Sequence, residues 1–281
     1  CVAKQALGRL RVAQEWLCTP TRIHREAAAL RELQPILPAG AVPRLLFEDL
    51  EHHVIAMEAA PEGARAWKDR LLAGEISTQT ALQIGALHGA WLRRDLQTRW
   101  REDFGDLAVF DDLRVDPYYR STAKIHPDLT DRFDALIEKC FSRRISLTHG
   151  DLSPKNILVD DGRVILIDFE VVHFGDPAFD AGFLTNHLFI KAFHQPVHAP
   201  RLAEAARCYW SGLLETAGPG WDWLPAAAME HLAGLLLARI DGKSPVEYLA
   251  EQTRVRIRAV ARDLLRHPAP SVKALFEQYF P

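Results

Sequence analysis

The sequence predicts an α+β fold in two unequal parts: a small α/β lobe over residues 1–60 and a large, mostly helical lobe over residues 61–281. Three observations predict it. From Trp67 onward apolar residues recur at helical spacing over most of the chain. Before that point the pattern runs strand, loop, helix and hairpin, and the breaker "PEGAR" closes it. Within the helical part, "LTHGDLSPKNILVDDGRVILIDFE" from Leu147 to Glu170 departs with a hairpin pattern and an unusual density of polar residues.

The elements follow in order. Val2 to Ala6 is short and apolar around Lys4, which fits a strand, and "TRIHREAAALREL" places Ile23, Ala27, Leu30 and Leu33 on one helical face. In "VPRLLFEDLEHHVIAMEA" two β-rich runs flank a polar centre, a hairpin ending near Met57 and Glu58. Helices are expected over 66–73, 77–96, 107–124, 127–143, 177–194, 199–217, 222–240 and 245–267. The one clear β insertion among them is "NILVDDGRVILID", two apolar runs around Asp160–Asp161–Gly162. The chain opens without Met inside an expected strand, so the sequence reads as continuing upstream.

Composition excludes several classes. A chain of 281 residues, 48% hydrophobic, can bury a large core. A formal charge of -3 argues against nucleic acid as a partner, because phosphate binding needs clustered Lys and Arg with little opposing charge. Basic runs such as "RVRIRAVARDLLR" are interrupted by apolar residues and read as solvated helix faces. No apolar run reaches membrane-spanning length. Cys1, Cys18, Cys140 and Cys208 are too scattered for a zinc site or disulfide framework, which fits reduced thiols in the cytoplasm.

The stretch from Leu147 brings hard oxygen ligands together. Asn156 stands at the start of the first hairpin strand and Asp168 at the end of the second, so the turn returns both to one edge. A carboxylate plus an amide oxygen suits Mg²⁺, which keeps several waters and shares its ligands with substrate phosphates. Asp151 lies five residues before Asn156 on a loop made irregular by Pro154, free to point toward an incoming nucleophile.

The order H-x-D-x-x-x-x-N, hairpin, acid is that of a kinase catalytic loop and metal-binding segment. With Gly150 and Glu170 in place of the protein-kinase Arg and Gly, the stretch resembles the aminoglycoside phosphotransferase and choline kinase-like superfamily. That resemblance implies a protein-kinase-like two-lobed fold and transfer of phosphate from ATP, with Mg²⁺, to a small-molecule hydroxyl. It implies Asp151 as the catalytic base, Asn156 and Asp168 as metal ligands, and Lys4 with Glu26 as the phosphate-holding lysine and its ion-pair partner. Backbone groups near Glu58 and Ala60 match the adenine-binding hinge, and His149 and Glu170 serve as support. Asp180 matches a buried acid that fixes the catalytic loop, although helix capping explains an Asp there almost as well. The Gly-rich phosphate loop expected before the lysine strand is not among these residues.

"KQALGRLRVAQEW", "HREAAAL" and "FGDPAFDAGFLTNHLFIKAF" are further similar to methylthioribose kinases. In "ARIDG", Arg239 stands where those enzymes carry an arginine pair near the substrate, with Ile240 replacing the second arginine. Asn156 and Phe169 follow the aminoglycoside phosphotransferase pattern instead. The segment from Trp221 to Tyr248 is expected to supply much of the acceptor pocket. Its Arg239 and Trp pair suit a sugar-like or alcohol-bearing metabolite better than a polycation. An aminoglycoside acceptor, or a catalytically silent nucleotide-binding protein, remains the alternative.

Overall fold

The computed structural model describes residues 1–8 and 18–281; residues 9–17, which hold much of the first methylthioribose-kinase-like segment, lie outside the described residues. Strand β1 (Val2–Gln5) is followed by helix α1 (Arg22–Leu33), then β2 (Leu45–Asp49) and β3 (Val54–Met57). The three strands form an antiparallel sheet with β3 central, and its register sets Lys4 opposite Ile55. Helix α1 covers this sheet by burying Ile23, Ala27, Leu30 and Leu33, the face expected from their spacing.

The large lobe begins with β4 (Arg65–Ala66), α2 (Trp67–Leu72), α3 (Thr78–Leu92) and α4 (Gln97–Asp103). Helix α5 (Ala108–Phe110) runs into a π-helical stretch, Asp111–Arg120, and on into α6 (Ser121–Ile125) and α7 (Thr130–Ser142). Strands β5 (Ser146–Thr148), β6 (Ile157–Asp160), β7 (Arg163–Leu166) and β8 (His173–Gly175) surround the polar stretch. Five helices complete the chain: α8 (Pro177–His194), α9 (Ala199–Ala217), α10 (Leu224–Asp241), α11 (Glu251–Arg266) and α12 (Val272–Tyr279). Helix α8 is buried over nearly its whole length between α9 and α10, which explains its continuous apolar pattern. The architecture is the two-lobed α+β arrangement that the sequence predicts.

Some expected boundaries move, each for a local reason. The helix expected over 77–96 ends at Leu92, where Arg93 turns extended with ψ 129°. The Gln97 amide then donates to the carbonyls of Trp91 and Arg93, at 2.7 and 2.9 Å. The helix expected over 107–124 widens into π geometry around Pro117, whose ring supplies no N–H for a tighter turn. The helix expected from 245 starts only at Glu251, after Ala250 in extended conformation with ψ 152°. There the chain folds back, and Val246 N–H donates to Arg239 O at 2.9 Å. Strands β5 and β8 pair with each other and were not expected; three residues buried on both faces show no alternation to detect.

Two local conformations position the site. Asp161 and Gly162 take φ 44° and 76°, the signature of a two-residue type I′ turn, so β6 and β7 pair directly and set Ile157 opposite Leu166. Between β5 and β6 the chain turns at Gly150 with φ +77°, and a Cβ there would lie 2.7 Å from Val171 O. Only glycine fits both the angle and the space. Gly150→Ala should therefore destabilise the protein by about 2 kcal/mol or more, from left-handed backbone plus displacement of Val171. Denaturant unfolding measures this, and an unchanged midpoint contradicts it.

Candidate active site

A buried carboxylate organises the loop after β5. Asp180, in the first turn of α8, accepts the backbone N–H groups of His149 at 2.5 Å and Gly150 at 2.9 Å. Capping of α8 falls instead to Asp176, which accepts Ala178 N–H. Burial pushes the Asp180 carboxyl up to about 7 against those two hydrogen bonds. His149 accepts Asp151 N–H on Nδ1 at 3.2 Å, which leaves Nε2 to donate to Ile167 O at 3.1 Å. The imidazole thereby ties the loop to the segment between β7 and Asp168.

Asp151 is not free, as the irregular loop suggested, but fastened by one of its oxygens. Oδ2 receives Arg114 at 2.7 Å, Lys155 at 2.9 Å and Asn156 Nδ2 at 2.9 Å. Arg114 comes from the π-helical stretch and also donates Nε to Gly150 O at 2.7 Å. Burial pushes the Asp151 carboxyl up, but Arg114 and Lys155 outweigh it and hold it down at about 2. The carboxylate is ionised throughout the neutral range.

The second cluster joins the two lobes. Lys4 Nζ lies 2.7 Å from Glu26 Oε2, contacts Asp168 Oδ1 directly, and is 3.9 Å from Glu170. Burial alone would lower the Lys4 ammonium, yet the three carboxylates raise it above its ordinary value. Glu170 also receives Arg22 Nε at 3.1 Å, pinning the start of α1. Asp168 sits at φ 69°, a left-handed conformation rare outside glycine. Burial pushes its carboxyl up, and the Lys4 ammonium more than offsets this.

Asn156 and Asp168 are brought to one edge, as Ile167 N–H donates to Asn156 O at 3.0 Å. The Asn156 amide nitrogen bonds to Asp151 O and Oδ2, which identifies Oδ1 as the atom left to a cation. An amide oxygen and a carboxylate form a hard donor pair that fits a cation completing its shell with water and phosphate. Among the described residues no three His, Cys, Asp or Glu side chains gather into a metal-holding group.

Other expected residues lie apart. Glu58 and Ala60 line a largely apolar cavity of about 490 Å³, walled also by Pro38–Pro43, Gln83 and Val164. None of Lys4, Asp151, Asn156 or Asp168 borders it. Glu58 N–H is taken by Arg44 O at 2.9 Å. Arg239 lines a separate small pocket that shares Lys155 with the loop. The Trp pair does not reach it: Trp221 and Trp223 pack together, and Arg143 lies 4.9 Å from the Trp223 ring. Arg114 and Arg22 escaped sequence reasoning, since a lone basic residue among helical charges carries no spacing signal; Lys155 stood out in the polar stretch, but nothing there gave it a role.

The depressed Asp151 carboxyl has a pH consequence. Its folded value lies below the ordinary 3.8, so its ion pairs contribute full stability above about pH 4 and lose it as pH falls through about 2. The stability gap between wild type and Asp151→Asn should narrow by about 2 kcal/mol across that window. Urea unfolding of both proteins at matched pH measures it, and a constant gap contradicts the pairing.

This geometry can be set beside known proteins. A methylthioribose kinase from Pectobacterium atrosepticum is 27% identical over 234 residues, covering 73% of this chain and 58% of that protein. The chain thus spans a little over half the length of the curated relatives it matches. A choline/ethanolamine kinase family protein from Mesorhizobium loti superposes with a TM-score of 0.51 at 15% identity, over 99% of this chain and 93% of that one. An amicoumacin kinase in complex with AMP-PNP, Ca²⁺ and Ami superposes with a TM-score of 0.51 at 16% identity, over 89% and 79%. These likenesses establish a kinase-like fold. Residues 15–224, most of the chain, match the phosphotransferase enzyme family, and the chain belongs to that family.

Proposed function

We propose that the chain transfers the terminal phosphoryl group of ATP, with Mg²⁺, to a hydroxyl of a sugar-like or alcohol-bearing metabolite. The observation that carries the reading is the setting of Asp151: Arg114, Lys155 and Asn156 converge on its Oδ2, so the carboxylate is ionised and held in one orientation on the loop that also carries Asn156. Such a group orients the hydroxyl and takes its proton as the new bond forms. Its low proton affinity matches a late proton transfer, in which positioning contributes more than basicity. Asn156 and Asp168 hold the Mg²⁺, whose chemistry when bound is to neutralise charge on the phosphate oxygens. Lys4, fixed by Glu26, contacts the phosphates, and the Glu58 carbonyl and Ala60 backbone receive adenine. His149, Glu170 and Asp180 keep these groups in place. The same reading puts the protein in the cytoplasm.

An aminoglycoside acceptor is disfavoured by the state of the carboxylates between Trp221 and Tyr248. Three of the four acids in this segment are already paired, Asp241 with Arg258 and His126, Glu230 with Lys139 and Glu247 with Lys68, and the fourth, Asp222, is exposed. A polycation would find few free partners. A catalytically silent protein is disfavoured because Lys4, Asp151, Asn156 and Asp168 are all present.

Asp151→Asn should lower the rate of ADP formation with acceptor by about 10²- to 10⁴-fold and leave ATP affinity nearly unchanged. Wild-type turnover in that variant would refute the assignment of the base. Asp168→Ala should weaken binding of ATP in the presence of Mg²⁺ more than Asn156→Ala does, because it removes a full negative charge from the cation's donors. Calorimetric titration compares them; equal affinity for wild type and Asp168→Ala sinks the metal assignment.

A further inference from the structure

The pocket beside Asp151 is strongly basic. Lys68, Lys155, Lys191 and Arg239 line it against one carboxylate, Glu247, which pairs with Lys68. Lys155 is its common wall with the catalytic loop, since the same ammonium lies 2.9 Å from Asp151. Lys191 projects from α8 and is only 1% exposed. Its hydrogen bond to His187 O is long, at 3.5 Å, and its other neighbour is the face of the Tyr248 ring, 5.5 Å away. Among the described residues no carboxylate forms an ion pair with Lys191.

Two further donors in this pocket are buried without hydrogen-bond partners, Arg239 Nε and Tyr248 Oη. A buried donor left unsatisfied is destabilising. A purely structural cluster would gather carboxylates or carbonyls around these donors, as happens for Arg239 Nη1, which bonds to Ser244. Burial, with Lys68 and Arg239 nearby, also pushes the Lys191 ammonium down to about 7. The free volume, about 30 Å³, holds roughly two water-sized atoms. That is the size of the two oxygens of a carboxylate.

Resting on the phosphotransferase reading above, we propose that the acceptor is a hydroxy acid: its carboxylate is received by Lys68, Lys191, Arg239 and Tyr248 while its hydroxyl faces Asp151. The buried donors then find acceptors, and the acid end fixes which hydroxyl meets the base. This assigns to the site a charge selectivity opposite to that of an aminoglycoside-binding surface.

The test is calorimetric titration of the nucleotide-free protein with matched pairs, glycerate against glycerol and gluconate against glucose, with inorganic phosphate and glycerol 3-phosphate as further arms. Saturable binding of the acids and none of the neutral partners is expected. Lys191→Met should weaken acid binding by about 10- to 100-fold, Lys191→Arg should recover part of it, and Lys68→Gln should cost less. Melting temperatures of all three variants exclude a folding defect as the cause. Equal binding of acid and neutral partners, no acid bound at millimolar concentration, or acid binding indifferent to both positions overturns the proposal. Tighter binding of the phosphate arms overturns the carboxylate assignment, and displacement of the acid by ATP assigns the pocket to nucleotide instead. The kinase reading fails separately, if the acids bind yet no ADP forms with ATP and Mg²⁺.

Discussion

The buried carboxylate of Asp180 is the contact on which the site's geometry depends. By accepting two consecutive backbone N–H groups it holds the His149–Gly150 turn against the first turn of α8. That turn presents Asp151 to Arg114, Lys155 and Asn156, and Gly150 supplies the backbone angle it requires. From there the order passes outward by hydrogen bonds: His149 to Ile167, Ile167 to Asn156, Asn156 to Asp151. Because each link joins loop, hairpin and helix, the polar groups are fixed relative to a helix that is itself fully packed.

Charge arrangement then divides the labour. Around Lys4 three carboxylates face one ammonium, an excess of negative charge at the junction of the lobes. Around Asp151 two basic groups and an amide face one carboxylate, which suppresses its proton affinity. Next to it lies the basic pocket of Lys191. The site is therefore graded from acidic at the lobe junction to basic behind the loop.

Much of this was legible in the sequence because it is local. The hairpin follows from apolar runs around Asp161–Gly162, and its symmetry brings Asn156 and Asp168 to one edge. The approach of Lys4 to Glu26 was accessible only through the order of motifs, since the two lie on separate elements. What stayed hidden depends on three-dimensional convergence. Arg114 sits on an unanticipated π-helical stretch, and nothing in "DDLRVDPYYR" marks it as a partner of a residue 37 positions later. Lys68, Lys191 and Arg239 come from three separate helices or their starts, so no spacing links them. The Trp pair misled for the converse reason: aromatic residues near Arg239 in sequence pack against Arg143 in space.

The central claim is that Asn156 and Asp168 share one cation with the nucleotide beside Asp151. Paramagnetic broadening tests it most directly: the side-chain amide of Asn156 is followed by NMR while Mn²⁺ is added in the presence of ATP. The account predicts selective broadening of that amide and of backbone signals at 167–168, abolished in Asp168→Ala. Broadening centred elsewhere, or unchanged in the variant, would contradict it.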